Sequence, residues 1–195
     1  MTTSTGTFPT LSHAIWPQSN LVRSVILAVI GSIAMWVSAK VQIPFYPVPM
    51  TMQTFVAISL GVAFGWRLGA AAVMLYLLEG AAGLPVFAGT PDKGIGLAYM
   101  MGPTGGYLIG FVLTAGVAGW LAERGFDRNA FTMFVAMLLG AAAIYIPGLA
   151  WLSSLIGFEK AIQFGLTPFV LADVTKAALG AALFPAIWAL LGKRA

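Results

Sequence analysis

The sequence predicts an all-α membrane protein, a bundle of six transmembrane helices with a partly re-entrant external lid loop between the third and fourth. Three observations carry that prediction. Of 195 residues, 59% are hydrophobic and only 8% charged, whereas a soluble domain carries roughly a quarter charged residues. So short a chain cannot hide that much apolar surface from water, and lipid must cover the excess. Six apolar stretches follow one another along the chain, and one of the connections between them is itself apolar and rich in Gly and Pro.

The elements follow in order. Met1 to Asn20 is polar, contains no apolar core of signal-peptide length, and reads as a cytoplasmic N-terminal segment. Residues 21–195 read as a single transmembrane domain. Its expected spans run about Leu21 to Ala39, Thr51 to Gly65, Leu68 to Leu84, Gly105 to Ala122, Ala130 to Trp151 and Leu166 to Leu191. The second and third are short and meet at Gly65-Trp66-Arg67, the pattern of a tight helical hairpin. The last is longer than a span requires and is expected to tilt or to extend beyond the lipid. No internal repeat stands out, which counts against an inverted-repeat transporter plan.

Sidedness follows from Lys and Arg. One set of ends and loops carries Arg23, Arg67, Arg124, Arg128, Lys193 and Arg194, the opposite set only Lys40, Lys93 and Lys160. The excess favours both termini in the cytoplasm. The scattered charges are those of membrane loops, and no nucleic-acid partner is expected. Two external connections are unusual. Gln42 to Met50 holds three prolines and two aromatics, and Gly83 to Pro103 stays apolar despite its glycines. Irregular backbone at membrane depth is tolerated where protein or a cavity satisfies it, so the second connection is expected to fold back over the bundle; the alternative is a surface loop dipped into the interface.

Asp173 and Lys176 are the sharpest polar signal. A helix places them on one face, and unpartnered charges at the bilayer centre are costly enough that such residues face a cavity or each other. The competing reading is a structural ion pair. Gln53 and Glu79 belong to the same membrane layer. Gln53 reads either as pocket lining or as an interfacial cap, and Glu79 either as lining of the same outward-facing pocket or, the preferred reading, as a side chain reaching for the interface. Ser24, Ala28 and Ser32 recur every four residues on the first helix, and Gly61, Gly65 and Gly69 recur across the hairpin, patterns that let helices approach closely. Internal packing is the ordinary reading; a docking surface for another membrane protein is the other.

The absences bound function as well. There is no phosphate-binding Gly-rich loop ending in Lys-Ser/Thr, no zinc-binding His-Glu-x-x-His and no Cys. No Ser sits beside an evident base, so an enzyme is not expected, nor a metal or other cofactor. A solitary facilitator for a small solute would need a polar path through the whole membrane, yet the intramembrane polar residues gather in the external half. An enzyme acting on lipid would need a nucleophile beside Asp173.

Four segments, Val48 to Thr54, Gly83 to Gly89, Met101 to Phe111 and Ala172 to Lys176, together resemble the BioY family. That family comprises the biotin-specific substrate-capture (S) components of energy-coupling factor transporters. The resemblance spans nearly the whole chain after residue 20. It implies a six-helix bundle in the bacterial inner membrane that binds biotin from outside. It also implies a transmembrane coupling subunit and two ABC-type ATPases as partners, with the stripe Ser24, Ala28 and Ser32 matching the family's docking surface in spacing. Biotin's ureido ring has two N–H donors and one carbonyl, which Asp173 and Lys176 suit; a carboxylate on Lys176 is the opposite pose. Gln53, Phe87, Tyr99 and Tyr107 are candidates for the walls, and Lys93 for the carboxylate of the tail. The family carries a polar side chain just after the Pro-Val-Phe stretch. Here Ala88-Gly89-Thr90 stands there, which leaves open which lid residue meets the ureido group, and the motifs alone choose biotin over another vitamin.

Overall fold

The computed structural model describes residues 8–192; Lys193, Arg194 and Met1 to Thr7 lie outside the described residues. The described residues are mostly helical: α1 (Leu11–Ile15), α2 (Leu21–Lys40), α3 (Gln53–Phe64), α4 (Trp66–Ala81), α5 (Gly96–Met100), α6 (Gly105–Ala122), α7 (Ala130–Ile156), α8 (Phe158–Gly165) and α9 (Thr167–Leu190). A two-residue ribbon, β1 (Gln42–Ile43) antiparallel to β2 (Met50–Thr51), closes the proline-rich connection, pairing Gln42 with Thr51 and Ile43 with Met50. Four helical stretches among the described residues are long and apolar enough to cross a membrane: Leu21–Lys40, Gly105–Ala122, Ala130–Ile156 and Phe158–Leu190. Helices α3 and α4, with 12 and 16 residues, reach about 18 and 24 Å at ~1.5 Å per residue, short of the ~30 Å hydrocarbon core.

Local chemistry sets the helix ends. The Asn20 side chain accepts the Arg23 N–H at 2.8 Å and starts α2, and Asn129 does the same for α7 through Phe131 N–H, also at 2.8 Å. Gly65 alone joins α3 to α4 at φ 87°, and Gly157 joins α7 to α8 at φ 85°, a region L side chains avoid. The expected hairpin is therefore present with a one-residue joint. Helix α7 runs to Ile156, five residues beyond Trp151; it continues past Pro147 and ends at Gly157. The expected last span, Leu166 to Leu191, is the single helix α9, Thr167–Leu190, and the short α8 before it was not expected. Helix α8 leaves Glu159, Lys160 and Gln163 exposed and buries Ala161 and Gly165, the pattern of a helix lying at an interface.

Helix α6 is the hub and packs on α7, α3 and α4, while α2 rests mainly on α4 and α9 on α7. Small residues make this possible. A Cβ on Gly61 would lie 2.1 Å from the Ala115 carbonyl oxygen, and one on Gly69 2.7 Å from Gly61 Cα. The glycine stripe of the hairpin is thus spent on internal packing, α3 against α4 and α6. The outer face of α2 is the opposite case, with Val25, Ile26, Val29, Ile30, Ile33 and Val37 all exposed. A face so apolar is suited to lipid. The segment 8–20 is not detached from the bundle. Leu11 is buried beside Ile58 and Ala122, Phe8 N–H donates to the Glu123 carbonyl at 2.8 Å, and an Arg128 Nη2–H donates to the Pro9 carbonyl at 3.0 Å.

Candidate functional site

The two charges of α9 stand together in the structure. Asp173 and Lys176 are 7% and 9% exposed, and Lys176 Nζ donates to Asp173 Oδ1 at 3.4 Å. The other carboxylate oxygen is held more tightly, since Tyr145 Oη on α7 donates to Asp173 Oδ2 at 2.5 Å. A buried pair this loosely joined gains little net stability, because desolvation offsets most of the attraction. Its arrangement is that of a carboxylate oriented by a phenol and flanked by an ammonium with spare donors. Lys176 also borders a cavity of about 520 Å³, walled by the β1–β2 ribbon, Met52 and the exposed side of α9 at Leu171 and Thr175. That volume falls within the roughly 300–1,000 Å³ typical of small-molecule sites.

Gln53 forms a second polar group next to the first. It is buried at the start of α3, its amide Nε2 donates to Tyr76 Oη at 2.8 Å, and Tyr76 in turn donates to the Val86 carbonyl at 3.3 Å. Thr51 Oγ1 donates to Gln53 Oε1 at 3.3 Å, and Thr51 lines the same cavity as Lys176. The interfacial-cap reading of Gln53 is set aside, because its side chain is turned into the bundle. Glu79 is corrected too: it does not reach for the interface but accepts from Ser32 Oγ at 3.0 Å.

The aromatic candidates separate. Phe87 is fully buried, edge-on to Tyr76 with centroids 5.5 Å apart and stacked on Tyr99 at 4.9 Å. It is seated against Gly80, where an added Cβ would lie 2.0 Å from the ring's Cζ. Phe87 therefore fixes the 82–104 segment to α4. Tyr99 Oη donates to the Ala88 carbonyl at 2.8 Å, and burial pushes its phenol pKa up. Tyr107 lies edge-on to Tyr145 with centroids 6.4 Å apart, and its hydroxyl donates to the Gly165 carbonyl at 2.9 Å. It stands beside the Asp173 group, but its hydroxyl is engaged at the α8–α9 junction. Lys93 is exposed, lying over Gly89, and shares with Tyr99 a small cleft of about 100 Å³ beside Pro47 and Pro49. Thr90, in the place of the expected polar lid residue, donates its hydroxyl to the Phe87 carbonyl at 2.7 Å.

The docking stripe needs correction at one position. Ser32 is 0% exposed and turned toward α4, so it is a packing residue; Ala28 and Ser24 are half-buried. Among the described residues no group of three or more His, Asp or Glu is placed to hold a metal ion.

Two contributors were missed by sequence reasoning. Tyr145 lay inside an apolar run with no partner visible along the chain, although a lone phenol there is a signal. Lys40, counted only as a loop charge, is an anchor: its Nζ donates to the carbonyls of Pro85, Phe87 and Thr90 at 2.9, 3.0 and 3.3 Å and to Thr90 Oγ1 at 3.1 Å.

A family model described as the BioY family matches residues 7–193. A relative from Thermotoga maritima, "Biotin transporter BioY", is 40% identical over 162 residues, 82% of this chain and 92% of that one. Another from Pyrococcus horikoshii, "Probable biotin transporter BioY", is 39% identical over 142 residues, 73% of this chain and 82% of its own. Among solved structures, the crystal structure of the S-component for biotin from an ECF-type ABC transporter matches with a TM-score of 0.73 and 25% identity. That match covers 87% of this chain and 94% of the other.

Proposed function

The chain belongs to the BioY family, and from that premise we propose that it captures biotin at the external face and delivers it across the membrane as the substrate-binding subunit of an ECF-type transporter. One observation carries the site: a buried carboxylate oriented by Tyr145 and paired with Lys176, which itself borders a cavity of about 520 Å³. In the ureido pose, Lys176 donates to the ring carbonyl while Asp173 accepts from its N–H groups. Charge-assisted hydrogen bonds of this kind are strong in a site sheltered from water. Lys176 borders the cavity directly, which also supports the second pose, with the biotin carboxylate on Lys176. Gln53, through Thr51, extends the polar wall.

Six helices cross the bilayer in this reading: α2, α3, α4, α6, α7 and α9, with the short pair α3 and α4 joined at Gly65. The segment 82–104 is the external lid, pinned by Phe87 and Lys40, with Tyr99 and Lys93 on its inner and outer sides. Arg23 at the start of α2, Arg67 at the start of α4 and Glu123 at the end of α6 line one cavity, whereas Lys40 at the far end of α2 holds the 82–104 segment, which supports cytoplasmic termini in the bacterial inner membrane. The partners are a transmembrane coupling subunit and two ABC-type ATPases, with Ser24 and Ala28 as the accessible remainder of the docking stripe. No cofactor is needed by a binding subunit of this kind.

The test is equilibrium titration of the purified, detergent-solubilised chain with biotin, with riboflavin and thiamine as controls. Saturable one-to-one binding of biotin alone supports the proposal. Binding of another vitamin in its place would keep the architecture and remove biotin.

A further inference from the structure

The end of the bundle opposite the 82–104 segment holds a second cavity, of about 580 Å³, which biotin capture leaves unused. It lies where α1, the starts of α2 and α4 and the end of α6 converge, and it is lined by Arg23, Arg67, His13, Phe64, Trp66 and Glu123 among others. Arg23 is only 6% exposed, and its Nε and Nη2 are buried with no hydrogen-bond partner. A guanidinium is always charged, and burying one with unpaired nitrogens carries a heavy desolvation penalty. The one carboxylate among the cavity's described lining does not relieve it: Glu123 Oε1 accepts from Trp66 N–H at 3.2 Å, and among the described residues no ion pair joins it to Arg23. Arg67 is exposed beside the cavity, 5.0 Å over the Trp66 ring. Two guanidiniums against one carboxylate leave an excess of positive charge.

The surroundings say what kind of anion fits. Trp16, Trp66 and Trp120 are exposed at this end of the bundle, and indoles concentrate at the depth of lipid headgroups. A guanidinium fork matches two oxygens of a phosphate. We infer that this cavity binds the phosphodiester of an anionic phospholipid headgroup, with Arg23 as the buried anchor and Arg67 at the mouth. Basic pockets between transmembrane helices on the cytoplasmic side are suited to such headgroups. The assignment to the cytoplasmic leaflet rests on the orientation proposed above; the recognition of phosphate does not.

The experiment uses the whole chain, stripped of lipid in a neutral detergent and offered equal amounts of dioleoylphosphatidylglycerol and dioleoylphosphatidylcholine, with retained lipid counted by native mass spectrometry. Phosphatidylglycerol should be preferred by about ten-fold or more. The preference should vanish in Arg23→Gln and weaken in Arg67→Gln, with folding of both checked by size exclusion and thermal unfolding, readouts independent of biotin. Equal retention of the two lipids, or a preference that survives Arg23→Gln, would overturn the inference. So would displacement of the lipid by millimolar inorganic phosphate, which would make the site one for free phosphate. If Arg23→Gln does not fold, the wild-type unfolding midpoint decides: a rise with phosphatidylglycerol no larger than with phosphatidylcholine would overturn it as well.

Discussion

Replacing Lys40 by Met keeps most of the apolar stem and removes the ammonium that holds the 82–104 segment. The ammonium reaches four acceptors at 2.9 to 3.3 Å, but it has three N–H groups, so at most three bonds form at once. A hydrogen bond to a charged group contributes about 1.5–3 kcal/mol, and an exposed side chain in high dielectric delivers less. The Phe87 carbonyl keeps the Thr90 hydroxyl at 2.7 Å in the variant, which limits the loss. The whole set then contributes about 2 kcal/mol, or a roughly 30-fold larger opening constant for the segment. Hydrogen–deuterium exchange in detergent reads this directly, because Thr90, Lys93 and Gly94 N–H groups are all bonded within the segment. Their exchange should quicken by about 30-fold, while α6 and α7 keep their protection. Unchanged exchange in the segment, or a loss of protection spread over the whole bundle, would refute the anchoring role.

Three further outcomes follow from the same geometry. Tyr145→Phe removes the tighter of the two bonds to Asp173 and should lower stability by about 1.5 kcal/mol, read as a lower unfolding midpoint; an unshifted midpoint would contradict it. Gly80→Ala puts a Cβ 2.0 Å from the Phe87 ring and should cost about 1–3 kcal/mol as an overpacked site, with faster exchange of residues 86–94. Normal exchange there would mean that Phe87 is not the pin. Asp127, in the turn between α6 and α7, accepts from Trp188 Nε1–H at 2.6 Å. Burial pushes its carboxyl above the ordinary 3.8, against the opposing pull of Trp188 and Arg128. The folded state therefore binds this proton more tightly than the unfolded state, and stability should fall as pH rises from 3.8 through the raised value. Midpoints measured against pH should lose that slope in Asp127→Asn; an identical slope would refute it.

The long apolar runs were legible because hydropathy and length are local properties, and the helix ends that Asn20, Gly65 and Asn129 set came with them. Helices α1, α5 and α8 were not legible: they are 5, 5 and 8 residues long, too short for periodicity to stand out, and tertiary contacts such as Leu11 in the core fix them. The pairing of Asp173 with Lys176 was visible at a helical spacing of three. The bond from Tyr145 was not, since 28 residues separate the two. Ser32 shows the limit of a spacing argument: a small residue every four positions predicts a close approach without saying whether the neighbour is α4 or another protein. Lys40 shows the complementary limit, because a loop lysine declares its charge but not the carbonyls that will surround it.

The most direct test is a double-mutant cycle on biotin affinity with wild type, Asp173→Asn, Lys176→Met and the double variant, measured by isothermal titration of the detergent-solubilised chain. Each single change should weaken binding by about 2–5 kcal/mol. The double variant should fall short of the sum by more than about 1 kcal/mol, since each partner is stranded when the other is removed. Affinity unchanged in either single variant, or strictly additive losses, would contradict an Asp173–Lys176 anchor for biotin.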